Sequence, residues 1–89
     1  MKTIYKYPIE VTDEQTLTLP VNAQILTVQT QWDSPCLWAM IDPEEKQTEQ
    51  VAIRVYGTVQ PVSDSENLTY IGTVQMLSGQ LVFHIFREQ

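Results

Sequence analysis

The chain has 89 residues and a mass of 10.2 kDa, room for one hydrophobic core and so for a single β domain over residues 1–89. Five Lys+Arg stand against eleven Asp+Glu, and the net charge of −6 excludes a generic DNA- or RNA-binding surface, which needs a basic face to neutralise phosphates. An apolar content of 43% excludes disorder, a single cysteine excludes a disulfide framework, and no apolar run approaches the ~18 residues of a membrane span.

Nine Val, seven Ile and ten Thr are β-branched, against only three Ala. Such side chains lose χ1 freedom in a helix and fit a pleated surface. No segment keeps helical spacing of apolar residues for ten positions, so the chain reads as all-β. About seven strands follow in order. Thr3 to Pro8 sets Tyr5 and Tyr7 on one face and Ile4 and Lys6 on the other. Thr16 to Leu19 is short and closed by Pro20, as suits an edge strand. Ala23 to Trp32 sets Leu26, Val28 and Trp32 against Ile25 and Thr27. Asp33-Ser34-Pro35 is turn chemistry, and Cys36 to Ile41 is an unbroken apolar run expected to be covered on both faces.

Asp42-Pro43 ends that strand, and Glu44 to Gln50 reads as a polar hairpin tip. Val51 to Tyr56 turns Val51, Ile53 and Val55 inward and Arg54 and Tyr56 outward. Gly57 to Thr69 is the longest irregular piece. Tyr70 to Leu77 and Gln80 to Arg87 flank Ser78-Gly79, a two-residue hairpin signal. Turn signals at this spacing predict a small antiparallel β-sandwich or a partly closed barrel. An echo between Tyr56-Gly57-Thr58-Val59-Gln60 and Tyr70-Ile71-Gly72-Thr73-Val74-Gln75 predicts a bend at each glycine.

Catalytic parts are few. His84 is the sole histidine and lies between Val82 and Phe86 on one strand face, the setting of a packed or interface side chain. Cys36 sits in an apolar strand with no neighbour in sequence to lower its pKa. One Cys and one His cannot build a structural zinc site. Asp64-Ser65-Glu66-Asn67 opens like a calcium loop, but Thr69 and Gln75 replace its glycine and glutamate, so a solvated acidic loop is expected. No phosphate-binding glycine motif is present. The expectation is a non-enzymatic protein with no cofactor and no metal.

Surface chemistry remains. Trp32, Trp38, Tyr5, Tyr7, Tyr56, Tyr70 and Phe86 are many rings for a small domain, and most are expected in the core. If Leu81, Phe83 and Ile85 fill the interior, Val82, His84 and Phe86 form a second apolar face, suited to a homo-oligomer interface. Lys6, Arg54 and Arg87 could then converge between subunits with Tyr56 or His84, which are the parts of a nucleotide pocket. The competing reading leaves Arg54 and Arg87 solvated and paired with nearby acids.

The opening Met1-Lys2-Thr3-Ile4-Tyr5-Lys6-Tyr7-Pro8, the central Pro35-Cys36-Leu37-Trp38-Ala39-Met40-Ile41-Asp42, and Tyr70-Ile71-Gly72-Thr73 with Leu81-Val82-Phe83-His84-Ile85-Phe86 are distinctive. Together they resemble a family of short uncharacterised phage and prophage proteins. The resemblance implies a phage accessory protein and no catalytic residue. With a start that lacks the apolar run of a signal peptide, it implies the host cytoplasm, or alternatively the virion. The sharpest function expected is a homo-oligomeric counter-defence protein that sequesters a small nucleotide immune signal. The alternatives are a virion decoration or tail accessory protein, and an acidic inhibitor that binds a host protein directly.

Overall fold

The computed structural model describes residues 1–63 and 67–89; the acidic-loop expectation at Asp64, Ser65 and Glu66 lies outside the described residues. Seven strands and no helix occur among the described residues: β1 (Thr3–Pro8), β2 (Glu14–Pro20), β3 (Gln24–Gln31), β4 (Ser34–Ile41), β5 (Thr48–Gly57), β6 (Leu68–Met76) and β7 (Leu81–Glu88). They form two antiparallel sheets, ordered β1-β4-β3 and β2-β5-β7-β6, with no closed barrel. The architecture is a small all-β sandwich. β2, as its proline suggests, is an edge strand.

One apolar layer joins the sheets. Leu37, Ala39 and Ile41 of β4 and Val28 of β3 face Leu19, Val51, Ile53, Val55, Val74 and Ile85 of the four-stranded sheet. Ile53 and Leu37 are fully buried, each contributing about 1.5–3 kcal/mol by leaving water. β5 alternates as expected, with Val51, Ile53 and Val55 inward.

Several local expectations change. The register of β3 shifts between Ile25 and Thr27, so Leu26 is an extra residue and the strand changes face beyond it. Ile25 and Val28 therefore share the core side, opposite Ala39 and Leu37, instead of standing on opposite faces. Trp32 is no part of β3: with Asp33 it forms the β3–β4 turn, both residues having positive φ (53° and 61°), one residue earlier than the expected Asp33-Ser34-Pro35 turn. β4 is the centre of its sheet, but its outer face is not closed, because Trp38 and Met40 stay half-buried there.

Nor is 44–50 a hairpin tip. β4 and β5 belong to different sheets, so the chain crosses between them, and Thr48 to Gln50 already pair with β2. The β6–β7 loop has four residues, Leu77 to Gln80, rather than two. It is held by Gly79 N–H to Met76 O and Gln80 N–H to Leu77 O, both 3.1 Å. The two glycines of the echo differ in use. Gly72 follows the extra residue Ile71 in a β6 bulge, whereas Gly57 ends β5 in a turn closed by Gln60. Most rings are not core either, since Trp32 is 94% exposed and Tyr5 and Tyr70 about half exposed, while Tyr56 is buried.

Candidate functional site

Antiparallel pairing assembles one cluster on the outer face of the four-stranded sheet. Arg54 stands opposite Glu14 and Phe86, Tyr56 opposite His84, Tyr70 opposite Phe86, and Thr73 opposite His84. Phe86 makes edge contacts with Tyr56 (centroids 5.8 Å) and Tyr70 (5.5 Å). The Arg54 guanidinium lies 5.9 Å from the Tyr56 ring centre and 3.7 Å from carboxylate oxygens of Glu14 and Glu88. His84 bonds Thr58 Oγ1 through Nε2 (2.9 Å) and Thr73 Oγ1 through Nδ1 (3.0 Å), and Thr73 Oγ1 also meets the Tyr70 hydroxyl at 2.5 Å. Hydroxyls can donate or accept, so a neutral imidazole of either tautomer is matched on both nitrogens. Cys36 is buried on the other sheet, its thiol toward Ser34 O, so no Cys–His pair forms. The cluster locks β6, β7 and the start of the β5–β6 connection together.

A cleft of about 440 Å³ opens where the edges of β3 and β6 meet, at the end of the sandwich that holds the C-terminus. Its walls include Leu26 and Ile71. These are the extra residues of the two register shifts found among the described residues. Each bulge turns an apolar side chain off the regular pleat. Thr69, Tyr70 and Arg87 also line it. Arg87 is half-buried on the face of β7 opposite His84, and no carboxylate of the described residues pairs with its guanidinium. Thr69 beside it accepts a hydrogen bond from Gln89 Nε2 at 2.7 Å, and the Gln89 N–H donates to Asn67 O, which fixes the chain end against the cleft. A fork of guanidinium donors among aliphatic walls suits an anionic group on a flat or apolar body.

The family described as Domain of unknown function (DUF7352) matches residues 1–89. The chain belongs to the DUF7352 family. No curated protein and no solved structure matches it.

Within this DUF7352 chain the expected ligand residues divide into three places. Arg54, Tyr56 and His84 are neighbours in the outer-face cluster. Arg87 lies in the cleft, on the opposite side of β7. Lys6 belongs to the other sheet, where its ammonium donates to Gln31 Oε1 at 2.6 Å. One chain therefore does not bring the three cations together. Val82, His84 and Phe86 do share the outer face, all half-buried, and Phe86 and His84 already pack or bond within the DUF7352 fold. The echo had marked a bend at Gly72, but nothing in the chain assigned Leu26, Thr69 or Ile71 to a ligand site, because the two strand edges that form the cleft are distant in sequence. Among the described residues no group of three or more His, Cys, Asp or Glu is placed to hold a metal ion, and no helix is long and apolar enough to cross a membrane.

Proposed function

We propose that this DUF7352 domain is a non-enzymatic binding protein that captures a small anionic molecule with a ring system, a nucleotide in the sharpest form, in the Arg87 cleft. The observation that carries the reading is Arg87 itself. Its guanidinium is half-buried in a cleft between two bulges and has no carboxylate partner among the described residues. A partly buried cation is costly unless an anion or water meets it, and a bidentate phosphate or carboxylate is its best match. Leu26 and Ile71 offer apolar walls for a ring, while the Tyr70 ring itself packs on Phe86 at the outer face. The volume lies within the range of small-molecule sites, roughly 300–1,000 Å³. Phage origin, suggested by the sequence resemblance, makes sequestration of a host nucleotide signal in the host cytoplasm the biological form of this reading.

Calorimetric titration with adenosine monophosphate, a cyclic dinucleotide and inorganic phosphate tests it. Wild type is expected to bind at least one nucleotide more tightly than phosphate. Arg87→Gln is expected to lose about 1.5–3 kcal/mol of that affinity, the range for a charged hydrogen bond, with its melting temperature unchanged. No binding of any of the three at millimolar concentration overturns the reading. Recovery of the protein from purified virions rather than from the soluble fraction of infected cells would favour the structural alternative.

A further inference from the structure

Three of the four connections at the end of the sandwich opposite the Arg87 cleft carry apolar tips from left-handed backbone: the β3–β4 turn, the β6–β7 loop and the start of the β5–β6 connection. The fourth, β1–β2, carries Glu10 and Asp13. Asp33 Oδ1 accepts the Leu77 N–H at 3.0 Å and ties the first two, and Gly57 pairs with Phe83 beside them. The three tips are Trp32 (φ 53°, 94% exposed), Val59 (φ 64°, 98% exposed) and Leu77 (φ 52°, 53% exposed). That region is unfavourable for bulky residues and worst for a β-branched one, and two-residue hairpin turns strongly prefer Asn and Gly there. Three strained apolar tips at one end are what a contact surface requires and what folding alone disfavours.

The same end carries a complementary hollow. A cleft of about 480 Å³ is lined by Gly57, Thr58, Gln80, Leu81, Val82 and Phe83, ample for an indole ring. A knob and a hollow on one end of one chain are both filled when two copies meet about a twofold axis. We propose that this end is an interface with a second copy of the chain, Trp32 of each copy entering the Leu81–Phe83 hollow of the other.

The tips of these three connections carry little charge. Residues 32–33, 57–60 and 77–80 include no Lys or Arg, and their one acid, Asp33, already accepts the Leu77 amide. Pairing here keeps Asp42, Glu44 and Glu45, which follow the far end of β4, beyond a Debye length of about 8–10 Å. It brings Glu10 and Asp13 of the β1–β2 connection nearer, so the apolar tips are the source of attraction. In area, a buried Trp covers about 150–250 Å² of the ~800 Å² per partner of a standard interface. Val59, Leu77 and the 39%-exposed Leu81 extend the patch around it. The inference is independent of the ligand reading, because the Arg87 clefts stay open at the outer ends.

Light scattering and sedimentation over a concentration series test it, with Trp32→Asn and Leu77→Asn as variants that the turns accommodate. The expected result is a wild-type mass of twice 10.2 kDa and a dissociation constant raised at least tenfold by either variant, both retaining the wild-type circular dichroism spectrum. In a Trp38→Phe background, Trp32 emission should be blue-shifted in the dimer and move to the red on dilution. A monomer up to about millimolar concentration, a dimer indifferent to both variants, or Trp32 emission that shifts only with phosphatidylcholine vesicles overturns the proposal.

Discussion

Gly72 is where one missing methyl group matters most. A Cβ built there would stand 2.8 Å from Val28 Cγ1 and 3.4 Å from Val28 O, so this position sets how closely β6 can approach β3. The oxygen is at ordinary contact distance, so the clash is with the Val28 methyl, which must leave its place in the core. Gly72→Ala is therefore expected to cost about 1–3 kcal/mol by overpacking. Urea unfolding of Gly72→Ala, Val28→Ala and the double variant checks the cause. Removing the Val28 methyls should make the glycine change much cheaper, and additive costs would show that the clash is not the reason.

At the level of strands, Arg54 joins three of them. It projects from β5 between Glu14 of edge strand β2 and Glu88 at the end of β7, with its guanidinium over the Tyr56 ring. Only 18% of its side chain is exposed, so the outward direction read from alternation does not make it a free surface group. Glu14 is largely exposed and both oxygen distances are long, so the ion pairs add little, and the buried stem carries more of the effect. Arg54→Ala is expected to lower stability by about 1 kcal/mol and Arg54→Met by less, as chemical denaturation would report. In the ligand titrations proposed above Arg54→Met should bind as wild type does, because Arg54 is not among the side chains that line the Arg87 cleft.

For the whole molecule, alkaline pH is the informative variable. Tyr7 faces the core from edge strand β1, and burial, aided by the neighbouring Tyr5, holds its phenol pKa above the ordinary 10.0. The fold therefore prefers the neutral phenol. Stability from this group is complete below about pH 10 and declines as pH rises through the raised value, since the unfolded chain loses its proton first. Urea midpoints followed from pH 8 to 11 should hold and then fall in the wild type, and Tyr7→Phe should fall less. An identical fall in both proteins would assign the alkaline sensitivity elsewhere.

The all-β class, the number of strands and the inward set Val51, Ile53 and Val55 were legible in the chain, because alternation and β-branching act over neighbouring residues. Only the tertiary structure decided the rest. The glycine echo marked the bend at Gly72, but the register shifts at Leu26 and Ile71 are set by pairing with strands distant in sequence, and a single extra residue reverses every face beyond it. That shift moved Ile25 into the core beside Val28 and set apolar walls around Arg87. Sequence chemistry identified Arg54, Arg87 and Lys6 alike as cations. Their partners differ because sheet assignment and strand face, neither encoded locally, separate a guanidinium between two carboxylates from one in an open cleft and from an ammonium on the other sheet.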